Sequence, residues 1–146
     1  MKLKSVTTLT AVVILCIVLA VALAVCAPWI VHWYAQFRAI DPPGERAILI
    51  SYLVSTVPAL VALAAMLRLL LRIRHTRPFD PTNPALLSVI SWCCLVVAAI
   101  CAVGGVWYLP LYMVTISMLF LFLAVRVVCS CFKAAAVLQE DNDLTV

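Results

Sequence analysis

The chain has 146 residues, 67% hydrophobic and 11% charged, where a soluble domain carries roughly 25% charged residues. That much apolar side chain excludes a water-soluble fold of this size and makes lipid the solvent for most of the protein. The formal charge of +4 is small and no basic patch is interleaved with aromatics, which argues against direct nucleic-acid binding.

Met1-Lys2-Leu3-Lys4 opens the chain with two positive charges, and 6–31 then runs without one. At 1.5 Å per residue this first helix spans about 39 Å, more than the ~30 Å hydrocarbon core requires. A cleaved signal peptide is the rival reading, and Leu23-Ala24-Val25-Cys26 resembles a lipoprotein cleavage box. The apolar run is too long for a usual signal core, and Val25 is bulky where a small residue is expected, so an uncleaved helix is predicted. Trp29, Trp33 and Tyr34 cluster at its far end, where amphipathic rings mark an interface. His32 among them reads as an exposed interfacial histidine rather than a metal ligand, since no partner is near in sequence.

Gln36 to Arg46 reads as the first polar loop, with Asp41-Pro42-Pro43-Gly44 as its turn. A second helix is predicted over 47–71, with Pro58 near its middle as a kink and Arg68 reaching toward headgroups. Next comes the one long polar connector, from Arg72 to Pro84. Arg68, Arg72, Arg74 and Arg77 place four positive charges within ten residues, and eight of the ten basic residues fall on this side of the membrane. The asymmetry predicts a cytoplasmic connector and cytoplasmic N- and C-termini, with anionic headgroups as a further attraction.

The connector also starts the third helix, over 85–104. Asp80 can cap it with Pro81 in the first position, or Asn83 can do so with Pro84. Phe79 is placed to pack at the membrane surface. Gly104 to Pro110 carries no charge, so helices three and four form a tight antiparallel hairpin, the fourth covering 111–131 with Arg126 near its inner end. Small residues four apart, Ala20 and Ala24, Ser55 and Ala59, Ala98 and Ala102, are candidate helix contacts. The tail, 133–146, is expected to prolong the helix and then fray. Its Glu140, Asp141 and Asp143 sit badly at a negative helix C-terminus, and a weak clasp onto Arg72, Arg74 and Arg77 is one expectation for them, a solvated tail the other.

Pro78-Phe79 followed by Asn83 and an apolar helix with Leu86, and the ending Leu138-Gln139-Glu140-Asp141-Asn142-Asp143-Leu144-Thr145-Val146, resemble a family. It is the bacterial four-helix membrane proteins catalogued as a domain of unknown function, number 2975. Thr76, where glycine is frequent, and Pro84 after the Asn depart from its pattern. The resemblance implies a multi-pass protein without an established activity, paired with a small helix-turn-helix regulator.

Chemistry is sparse. The seven cysteines include no Cys-x-x-Cys: Cys93 and Cys94 are adjacent, and Cys129 and Cys131 face different sides of a helix, which argues against a thiol oxidoreductase. Cys129, Cys131 and His75 share no metal-ligand spacing. No phosphate loop, catalytic triad or carboxylate pair occurs, so no catalytic, cofactor-binding or metal residue is assigned and no cofactor is expected. The reading is an all-α, single-domain bundle of four transmembrane helices in a cell membrane. It presents Arg72, Arg74, Arg77, Phe79, Asn83, Glu140, Asp141 and Asp143 to a protein partner, a small helix-turn-helix regulator or another membrane subunit. A small transporter or transporter subunit is the alternative, weakened by the lack of an acid inside any span.

Overall fold

A computed structural model describes residues 2–75 and 82–145, with the backbone alone at 2–5, 74–75 and 82–83. Four helices make up the fold: α1 (Lys2–Arg38), α2 (Pro42–His75), α3 (Thr82–Gly104) and α4 (Leu111–Leu144). All four are long and apolar enough to cross a membrane, and no strand occurs among the described residues. Their 37, 34, 23 and 34 residues correspond to about 55, 51, 35 and 51 Å, so only α3 approaches the ~30 Å hydrocarbon thickness. The other three run past the apolar segments that the sequence marks. Once a helix is nucleated each added residue gains a hydrogen bond, and a change from apolar to polar side chains does not end it.

The first connection corrects the expected loop. Gln36, Phe37 and Arg38 close α1, only 39–41 lie between helices, and Pro42 already begins α2. Asp41-Pro42-Pro43-Gly44 is therefore a helix start, in which the prolines lack N–H groups that the first turn would leave unpaired anyway. The reversal is made by Ala39, in the left-handed region at φ 49°. Ile40 N–H donates to the Ala35 carbonyl at 3.0 Å and Ala39 N–H to Gln36 at 3.4 Å, the paired bonds of a Schellman ending with alanine where glycine is usual. At the start of α3, Asn83 and Pro84 lie within the first turn rather than at its cap. The Asp80–Pro81 alternative lies outside the described residues.

Extensive packing joins α1 to α2, α2 to α3 and α3 to α4, and among the described residues no other pair packs extensively. Short turns make neighbours antiparallel, so the α1–α2 and α3–α4 turns share one end, here the turn end, and the two termini share the other. The core is built mostly of small side chains, Ala27 and Ala35 on α1, Ser51 and Ala65 on α2, Ser91, Ala98 and Cys101 on α3, Cys129 on α4, with Val13, Val31, Leu70 and Val97 as its larger members. Large side chains such as Leu15, Met113 and Phe120 stay on the exterior. Lipid tails solvate leucine as well as a protein core does, so helices in lipid gain from close backbone approach rather than from burying bulk. Of the proposed small-residue faces, Ala98 is buried outright, while Ala20, Ala24, Ser55, Ala59 and Ala102 are half-buried.

Candidate functional site

The charged surface expected from sequence lies at the termini end. Arg72 is exposed in the last turn of α2, Arg74 is the penultimate residue of that helix, and Asn83 is in the first turn of α3. Arg77 and Phe79 lie outside the described residues. Glu140, Asp141 and Asp143 are exposed on α4, which stays helical to Leu144 rather than fraying after the membrane segment.

Two contacts set the height of these groups. The Cys129 thiol donates to the Pro84 carbonyl at 3.4 Å, which levels α4 with the start of α3. At the turn end Ser51 lies against Gly104. Twenty residues separate Gly104 from Pro84, and twenty more lead from Ser51 to Leu71, so Arg72, Pro84 and Cys129 share one level. A straight α4 then carries Glu140 about 16 Å and Asp143 about 21 Å beyond that level. Arg72 and the acids are not brought together, and the three carboxylates make no ion pair among the described residues. The other basic members of the expected clasp, Arg74 and Arg77, have side chains outside the description.

The turn end holds what sequence reading missed. His32 Nδ1 and Glu45 Oε1 are 2.9 Å apart across the first connection, and His32 Nε2 meets Gln36 Nε2 at 3.0 Å. His32 is exposed as expected, but it has a partner thirteen residues away. The sequence, read with a loop over 36–46, did not show it: the three-residue connection found in its place brings the last turns of α1 beside the first turn of α2. The Tyr34 and Tyr108 hydroxyls meet at 3.0 Å, tying α1 to the α3–α4 turn. The hydrogen bond from Tyr34, then burial, then the charge of an ionised Tyr34 push the Tyr108 phenol above its ordinary value of 10.0, while Arg38 pulls it down. Trp33 and Phe37 stack with centroids 6.0 Å apart, adding an aromatic rim.

Beside this network a cavity of about 500 Å³ opens between α2 and α3. Arg46, Ile50, Ser51 and Val54 form one wall, Val103 and Trp107 part of the other. Arg46, Ile50 and Val54 recur at helical spacing and so share a face. Ser51 is 5% exposed, and unlike Thr56, Thr115, Ser117 and Ser130 it does not bond back to the preceding turn. Deeper, Ser55 Oγ is buried without a hydrogen-bond partner among the described residues, and the Cys101 thiol is close enough to interact with it. Among the described residues no three of His, Cys, Asp and Glu gather as metal ligands.

Four apolar helices of spanning length, packed each against the next and cored mostly with small residues, define a multi-pass membrane protein of the four-helix class. Residues 28–146 match the family model described as "Protein of unknown function (DUF2975)", and the chain belongs to that family. No curated protein and no solved structure matches it.

Proposed function

We propose that this protein is a membrane-embedded binding module whose termini end faces the cytoplasm and offers charged helix ends to a protein partner. The observation that carries this reading is the length of α4, which projects as helix about 22 Å beyond Cys129 and bears Glu140, Asp141 and Asp143 exposed near its tip. Acids at a helix C-terminus oppose the dipole, so their placement costs stability and suits a surface kept for recognition. Charge supports the orientation, with Lys2, Lys4, Arg68, Arg72, Arg126 and Lys133 at the same end as the tail. A basic surface on a small soluble regulator is the complementary chemistry. The alternative, transport, gains no observation among the described residues: Asp41, Glu45, Glu140, Asp141 and Asp143 lie at helix ends or in a connection.

The test is copurification of the detergent-solubilised full chain with cytoplasmic proteins, against a chain ending at Phe132 and a Glu140→Lys, Asp141→Lys, Asp143→Lys variant. A partner retained by the full chain and lost from both variants is expected. Equal recovery by all three, or substrate-dependent flux in vesicles, overturns the reading. Reporter fusions at the connector test the orientation separately.

A further inference from the structure

The α2–α3 cleft lies far from the charged helix ends and has its own polarity profile. At its mouth is Arg46, exposed and without an ion pair among the described residues, because Glu45 turns to His32. Ser51 lies five residues further along α2, about 7 Å deeper. It is nine-tenths buried, lines the cleft and donates its hydroxyl to no described residue. Val54 lies about 12 Å below Arg46 on the same helix, and from there the walls are hydrocarbon. Trp107 stands at the rim, where an indole marks the headgroup layer.

We propose that this cleft binds one anionic phospholipid, its phosphate on Arg46, an ester carbonyl accepting from Ser51 Oγ, and one acyl chain against Ile50, Val54 and Val103. A guanidinium forks onto phosphate oxygens with charge-assisted hydrogen bonds. A hydroxyl that faces a hydrocarbon-filled cleft without a partner is costly, and an ester oxygen at that depth satisfies it. A cavity of about 500 Å³ is within the size range of small-molecule sites, and its opening toward lipid admits a chain without unfolding. A zwitterionic phospholipid offers the same chain and esters, but its ammonium offsets the phosphate charge that Arg46 meets.

The experiment uses the full chain in nanodiscs, with Trp29, Trp33 and Trp92 changed to phenylalanine so that Trp107 alone reports. Phosphatidylglycerol or phosphatidylcholine with brominated chains is added at equal mole fraction, and quenching is recorded. Brominated phosphatidylglycerol is expected to saturate the quenching at about fivefold lower mole fraction. Arg46→Gln should remove that preference, Arg46→Lys should retain most of it, and Arg38→Gln, an equal charge loss at the same end but off the cleft, should leave it intact. Val54→Phe, which fills the cleft, should reduce quenching by both lipids. Equal quenching by the two lipids in the wild-type sequence shows ordinary boundary contact and overturns the proposal. So does a preference that Arg38→Gln lowers as much as Arg46→Gln, which shows general surface attraction, or one that Arg46→Gln leaves unchanged.

Discussion

The two ends of the bundle are built on different principles. At the turn end the helices are held by fitted short-range contacts: Ser51 on Gly104, Tyr34 to Tyr108, His32 to Glu45. At the termini end the described contacts between helices reduce to apolar packing, with Val13 and Leu70 buried, and the Cys129–Pro84 bond, while the charges project outward. The difference separates two tasks. One end fixes the mutual arrangement of the helices, and the other is left to meet something outside the bundle.

Substitutions that disturb the fitted contacts of the turn end should therefore lower stability, and substitutions of the exposed charges at the termini end should not. The largest effect is expected for Gly104→Ala. A β-carbon there would clash with Ser51 Oγ and lie 2.8 Å from a Leu111 methyl. Overpacking of this kind costs about 1–3 kcal/mol, read as a lower unfolding midpoint in detergent. Ser51→Ala in the same chain should recover much of the loss, since the Ser51 β-carbon would be 3.5 Å away, an ordinary contact. If Gly104→Ala alone is neutral, the α2–α3 fit is looser than described.

Next in size is the tyrosine bridge. A double-mutant cycle on Tyr34→Phe and Tyr108→Phe should show coupling of about 1 kcal/mol. It should also depend on pH. A folded pKa held above the ordinary 10.0 means that the folded state keeps a proton that the unfolded chain releases first. The stabilisation is full below pH 10.0 and is lost as pH rises through the raised folded value. Tyrosinate absorbance of the wild type against Tyr108→Phe measures the shift. Titration of Tyr108 below that of a free phenol would refute the bridge.

Ala39→Gly should raise stability by about 1 kcal/mol, because alanine holds a left-handed conformation that glycine adopts without strain. No gain would mean that the reversal is made elsewhere. Smallest of all, the Glu140, Asp141 and Asp143 charge reversal should not lower bundle stability, since these exposed sites lie beyond the packed helices and lysines there suit the helix dipole, while abolishing partner capture. A large loss of stability there would make the tail part of the bundle and erase the contrast between the ends.

Much of the architecture was legible in the residues alone. Four apolar runs separated by polar or turn-forming segments dictate four spanning helices, since lipid leaves the backbone no other way to satisfy its hydrogen bonds. The chargeless Gly104–Pro110 turn implied the α3–α4 hairpin for the same reason, and the repeat of the family's connector and tail residues pointed to the family that residues 28–146 match. Where each helix ends was not legible, because hydropathy reports the surrounding solvent and helical hydrogen bonding ignores it. Asp41-Pro42-Pro43-Gly44 carries equally good chemistry for a turn and for a helix start, and only the placement of Ala39 separates the two. The partners of His32, Tyr34 and Ser51 depended on the registers between helices, which are set by where Gly104 and Pro84 let neighbouring backbones approach. Local composition thus determined the solvent and the number of spanning helices; side-chain fit across helices decided which groups meet.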